Sequence, residues 1–195
     1  MLRKIVVFLV YIFNLVVFRV EKNGEENIKE KGAYLICANH RSNWDAPILV
    51  SNLKRKVYVM AKAELFKNKF IKWFGRKCCV FPVKRGMRDI ESIKYSLNLL
   101  KDGEILVIFP EGTRKGMEKN LSAKNGAAFM ALRTKTKVIP IGIQGSFKPF
   151  TKVYLNYGKP LDFSEYYGKE KDKEVLNKVT KEIMDNIIKL TNEKK

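Results

Sequence analysis

The sequence predicts an α/β fold, a largely parallel or mixed sheet flanked by helices, behind an apolar N-terminal segment. Three observations predict it. Short apolar runs alternate with stretches whose apolar residues recur every three or four positions, the signature of strands alternating with helices. Several runs, such as Tyr34 to Ala38 and Ile105 to Phe109, are apolar throughout, as strands covered on both faces must be. The 195 residues hold no fixed-period repeat or low-complexity tract and suffice for one full core.

The run from Ile5 to Phe18 follows Met1-Leu2-Arg3-Lys4, is interrupted only by Asn14 and is closed by Arg19. As a helix it measures roughly 21 Å at about 1.5 Å per residue, short of a hydrocarbon core of about 30 Å. Its basic start resembles a signal peptide, but no small-x-small cleavage site follows. Residues 1–20 are therefore read as a membrane-associating helix that dips into one leaflet, and 21–195 as the main domain. A shallow span or an ordinary core helix are the alternatives.

Within the polar stretch 20–31, Lys22-Asn23-Gly24-Glu25 predicts a hairpin bend. Tyr34 to Ala38 is the first strand. Asp45 as N-cap and Pro47 in the first turn start a helix over Ala46 to Leu53. Val57 to Ala61 is a strand, Phe70 to Phe74 a short helix, and Cys78 to Val83 a third strand. Ile90, Ile93, Leu97 and Leu100 mark one face of a helix that stops near Gly103. Ile105 to Phe109 is the fourth strand and Ala123 to Arg133 a helix, followed by strands at Val138 to Ile143 and Val153 to Tyr157. Apolar residues at helical spacing from Val175 to Leu190 predict the closing helix. In such sheets the loops at the C-terminal ends of strands collect the chemistry.

The formal charge of +19 rests on 39 basic residues, most of them lysine. Nucleic-acid readers favour arginine for its bidentate fork, whereas lysine serves as a point charge toward anionic lipid. The charge therefore favours an anionic membrane surface as partner, with no nucleic acid expected; simple solvation of the surface is the plainer alternative. Cys37, Cys78 and Cys79 are an odd set and suggest reduced thiols, not a disulfide framework.

One histidine occurs, in Asn39-His40-Arg41-Ser42-Asn43-Trp44-Asp45. A histidine can take a proton from an alcohol when a carboxylate fixes its tautomer, and Asp45, five positions on across a tight turn, can supply that carboxylate. Asp45 serving only as a helix cap is the bland reading, and the two roles are compatible. After the fourth strand comes Phe109-Pro110-Glu111-Gly112-Thr113-Arg114, where Gly112 lets backbone amides approach an anion and Arg114 offers a planar fork for phosphate. After the third comes Phe81-Pro82-Val83-Lys84-Arg85-Gly86, where Arg85 and Lys84 can meet the same anion or form a basic surface turn. Cys37 as a thiol nucleophile is disfavoured inside an apolar strand. Zinc ligation by Cys37, His40, Cys78 and Cys79 is disfavoured because adjacent strand residues point to opposite faces.

In order, Asn39-His40-x4-Asp45, Phe81-Pro82-Val83-Lys84-Arg85, Phe109-Pro110-Glu111-Gly112-Thr113-Arg114 and Val138-Ile139-Pro140-Ile141 resemble the four blocks of the glycerolipid acyltransferases, over roughly residues 33–145. The nearest likeness is to the bacterial 1-acyl-sn-glycerol-3-phosphate acyltransferases. The resemblance implies that His40 is the general base and Asp45 its orienting partner. It implies that Arg85, Glu111, Gly112, Thr113 and Arg114 bind the acceptor phosphate, with Lys84 and Lys124 nearby. Lys124 and Gly126 match the Lys-x-Gly that follows the third block. Pro140 would lie beside the acyl-donor or acyl-chain channel.

The implied reaction is acyl transfer from acyl-CoA or acyl carrier protein to lysophosphatidate, giving phosphatidic acid, with no metal and no redox cofactor. Acylation of glycerol 3-phosphate or another lysophospholipid is the alternative. A non-enzymatic anionic-lipid or nucleic-acid binding protein is a distant one, since it leaves the ordered blocks unexplained. The expected location is the cytosolic face of the cytoplasmic membrane, peripheral or monotopic. Many relatives carry two N-terminal membrane helices, and only one is evident here.

Overall fold

The fully apolar runs become the inner strands of one sheet. The computed structural model describes residues 2–84, 89–113 and 123–193. Its strands are β1 (Arg19–Asn23), β2 (Tyr34–Ala38), β3 (Val57–Lys62), β4 (Val80–Val83), β5 (Ile105–Ile108), β6 (Val138–Gly145) and β7 (Lys152–Tyr157). Its helices are α1 (Leu2–Val17), α2 (Asp45–Ser51), α3 (Lys69–Lys77), α4 (Ile90–Lys101), α5 (Gly126–Thr134) and α6 (Lys173–Asn192). The strands lie in the order β1-β7-β6-β2-β5-β3-β4. Every neighbouring pair is parallel except β6 and β7, so the sheet is mixed.

Two apolar layers sandwich the sheet. Ile36, Val57, Val107 and Ile139 face Phe18 and the α2 residues Ile48 and Leu49. Leu35, Leu106 and Val138 face Leu100 of α4, the alanine-rich side of α5, and Val179, Ile183 and Ile187 of α6. Successive residues of one strand thus serve opposite layers, which is why β2 and β5 are apolar at every position. The chain leaves β2 into α2 on one layer and leaves β5 into α5 on the other. β2 and β5 are neighbours, with Cys37 in register with Ile108, so a crevice opens beyond their C-terminal ends.

Several expectations are corrected. The hairpin at residues 22–25 does not form. Gly24 adopts a left-handed conformation (φ 77°) that ends β1, and β1 pairs in parallel with β7 instead of folding back on its successor. Cys78 and Cys79 belong to the turn after α3, not to a strand; Cys79 itself has φ 63°. Asp45 is not an N-cap. It is the first residue of α2, the cap position falls to Trp44, and no side chain caps it. α5 starts at Gly126, three residues later than Ala123.

At 16 residues α1 is the longest apolar element, and no helix among the described residues is long and apolar enough to cross a membrane. The polar interruption at Asn14 has a local reason: Nδ2 donates to Ser51 Oγ of α2 at 2.9 Å, fixing the inner side of α1 to the domain. Phe8, Leu9, Ile12 and Val16 remain exposed on its outer side. A boundary at residue 20 would cut β1 and separate it from buried Phe18, so α1 is continuous with the sheet edge.

Candidate active site

Strand β2 delivers His40 into the crevice. Asp45 is fully buried, and its Oδ2 accepts from three donors: His40 Nδ1 at 2.7 Å, Arg41 N–H at 2.6 Å and Ser42 N–H at 2.8 Å. The two backbone bonds explain the five-residue spacing. They wrap the turn back around one carboxylate oxygen, from N–H groups four and three residues before it, and the same oxygen then receives the ring. With Nδ1–H held by an anion, the neutral imidazole keeps its lone pair on Nε2, the form a general base requires.

The loop after β5 holds the same histidine from above. Phe109 stacks on the imidazole, centroids 4.3 Å apart and planes 22° apart, and Glu111 Oε1 accepts the His40 N–H at 3.2 Å. Glu111 is only 4% exposed, so its carboxylate is committed to the loop. Through this bond the side chain of Glu111 ties the two loops together, so any part of the 111–114 segment in phosphate binding falls to its other groups, since a buried anion repels a second one.

Asn39 is the contributor that sequence reasoning left without a role. Its amide donates to Ile143 O at 2.9 Å and accepts from Ile143 N–H at 2.7 Å, both bonds buried. The side chain thereby adds one more rung to the β2–β6 ladder just before His40. Asn39→Ala should orphan both backbone groups of Ile143, at about 1–3 kcal/mol each. A thermal melt is expected to show a midpoint lower by roughly 5–15 °C for a chain of this size. An unchanged midpoint would mean that the rung is dispensable.

Beside Phe109 lies a cavity of about 250 Å³ whose wall includes Lys84, Gly112, Lys124 and Gly126. Met60, Ile93, Ile108 and Met130 give it an apolar floor. Gly112 turns with φ 68°, and Lys124 lays its stem over it, Cε 3.6 Å from where a Cβ would stand. The backbone bond from Lys124 N–H to Pro110 O fastens the two segments at 3.1 Å. Thr113 is exposed at the end of the described loop. Arg85 and Arg114 lie outside the described residues. Of the residues flanking 85–88, Asp89 accepts Lys84 N–H at 2.8 Å and Ser92 N–H at 3.1 Å. The bond from Lys84 holds the Asp89 carboxyl below its usual range.

Pro140 is not brought to this cavity. It sits buried inside β6, its ring against Gly158 and its carbonyl accepting Gly158 N–H at 2.9 Å. Cys37 is wholly buried, and burial pushes its thiol far above the ordinary range, so it stays protonated and unreactive. Cys37→Ala should therefore retain most turnover in a rate assay; its abolition in folded protein would reinstate a thiol nucleophile. Among the described residues no three His, Cys, Asp or Glu side chains gather as a metal ion would need.

A family model described as acyltransferase matches residues 19–144. The chain is 35% identical over 184 residues to the 1-acyl-sn-glycerol-3-phosphate acyltransferase of Bacillus subtilis, covering 88% of this chain and 91% of that one. It is 32% identical over 183 residues to the enzyme of the same name from Streptococcus pneumoniae, covering 89% of this chain. It spans 64% of that relative's length. A similar solved structure is the 1-acyl-sn-glycerophosphate acyltransferase PlsC of Thermotoga maritima, with TM-score 0.71 and 26% identity, covering 99% of this chain and 83% of that one.

Proposed function

This chain belongs to the acyltransferase family, and from that premise we propose that it acylates the free hydroxyl of 1-acyl-sn-glycerol 3-phosphate, giving phosphatidic acid for phospholipid biosynthesis. The observation that carries the chemistry is the 2.7 Å bond between His40 Nδ1 and Asp45 Oδ2, with the imidazole stacked on Phe109, which lines a cavity that presents Lys84, Gly112 and Lys124. His40 Nε2 takes the proton from the acceptor hydroxyl. The oxygen attacks the thioester carbonyl of acyl-CoA or acyl carrier protein, and the tetrahedral adduct expels the thiolate, which recovers the proton from the imidazolium. The developing imidazolium is stabilised by the buried Asp45 carboxylate.

Lys84, Lys124 and the amides around Gly112, joined by Arg85 and Arg114, neutralise the acceptor phosphate and hold its hydroxyl near Nε2, a positioning effect. Lys124→Ala, Arg85→Ala and Arg114→Ala should each raise KM for the phosphate-bearing acceptor, by a charge-assisted contact of about 1.5–3 kcal/mol, and change donor KM less. Equal losses toward acceptors with and without phosphate would contradict the assignment.

The exposed side of α1, with Phe8, Leu9 and Ile12, enters one leaflet, and the surrounding lysines meet anionic headgroups. Deleting residues 1–19 would strip buried Phe18 from the core, so Phe8→Ser with Ile12→Ser is the cleaner test. That pair should release the protein from anionic vesicles while sparing turnover on dispersed short-chain acceptors. The substrate itself is tested by offering lysophosphatidate and glycerol 3-phosphate side by side, with both donor types, and weighing the products. Preference for glycerol 3-phosphate would replace the reading with an earlier acylation.

A further inference from the structure

We propose that α3 is a second membrane-contact element, which lays Phe70 and Trp73 into the headgroup boundary of an anionic bilayer alongside α1. Helix α3 reads Lys-Phe-Ile-Lys-Trp-Phe-Gly-Arg-Lys, with four basic residues and no acidic one. Phe70 is 67% exposed and Trp73 50% exposed, their ring centroids 6.0 Å apart. Two large aromatic side chains held side by side in water on a basic helix have the composition of the aromatic and lysine belts at membrane surfaces.

The occupant follows from what adjoins the patch. Phe70 stacks on Phe74 with centroids 6.2 Å apart, and Phe74 leads inward. Phe74 and Cys78 then share an apolar groove of about 170 Å³ with Val6, Val7 and Val10 of α1. Burial and the neighbouring Cys79 raise the Cys78 thiol above its ordinary range, and the charge of Arg3, at the start of α1, offsets this only in part. The two helices are therefore walls of one groove, and each presents apolar side chains to solvent. A bilayer covers both at once. An acidic protein, such as an acyl carrier protein, would satisfy the lysines and arginine of α3 but leave Phe8, Leu9 and Ile12 of α1 uncovered.

This deepens the reading of α1 as a membrane helix and is tested without turnover. The chain has two tryptophans, so Trp44→Phe leaves Trp73 as the reporter. On adding vesicles that contain phosphatidylglycerol, its emission should shift to the blue and be quenched by lipids brominated on the acyl chain. Pure phosphatidylcholine vesicles should do less. With α1 intact and Trp44 present, Phe70→Ser combined with Trp73→Ser should lower co-sedimentation with the anionic vesicles by about tenfold or more, as expected for losing one of two anchoring signals. Folding of both variants is checked by circular dichroism. Partitioning equal to the unsubstituted chain, or a Trp73 shift evoked by acyl carrier protein and not by vesicles, would overturn the role of α3 alone. Failure of the unsubstituted chain to bind anionic vesicles would overturn the membrane reading of α1 as well.

Discussion

Replacing His40 with alanine should lower kcat at least about a hundredfold, the usual range for losing a general base. The structure makes this a clean substitution. Asp45 Oδ2 keeps its two bonds from Arg41 N–H and Ser42 N–H, so that oxygen stays bonded and the turn remains wound. The bond from the His40 backbone to Glu111 also survives, because it uses the main chain. Loss of rate in a variant with near-native circular dichroism and melting behaviour would therefore report chemistry. KM for donor and acceptor should change little. If more than a tenth of turnover remained, base catalysis by His40 would be the wrong mechanism.

Asp45→Asn is expected to be comparably severe for a different reason. The amide oxygen can still accept from the three donors now held by Oδ2. Its NH2 group must then occupy the place of Oδ1, which is buried and has no hydrogen-bond partner among the described residues. An unpaired buried donor costs about 1–3 kcal/mol, and the imidazolium that forms during proton transfer loses its counter-charge. A kcat lower by roughly 10²–10⁴-fold, with a modest fall in melting temperature, is expected from single-turnover and thermal-melt measurements. A variant that melted earlier but turned over normally would limit Asp45 to shaping the loop.

Much of this was legible in the sequence because it depends on neighbours in the chain. The inner strands announced themselves by being apolar at every position, and α4 and α6 by apolar residues at helical spacing. The His-x4-Asp turn was readable for the same reason: its bonds from Arg41 and Ser42 to Asp45 span only four and three residues. β1 was not readable. Arg-Val-Glu-Lys-Asn is polar because an edge strand has solvent beside it, and out of context it resembles a turn. Its partner β7 lies more than a hundred residues away, and no local pattern names it.

By itself the sequence determined the alternation of strands and helices, the single imidazole with its carboxylate, and the ordered basic and glycine-containing loops that identify the family. Those are properties of contiguous residues. Only the tertiary structure decided that β2 and β5 are neighbours, and so that Phe109 and Glu111 hold His40 across 71 residues of chain. It also decided that Asn39 is a rung to Ile143, 104 residues on, and that Glu111 is buried against the His40 backbone. The physical reason is that strand order and burial follow from packing both sheet faces at once, a condition on the whole chain that no short stretch of it contains.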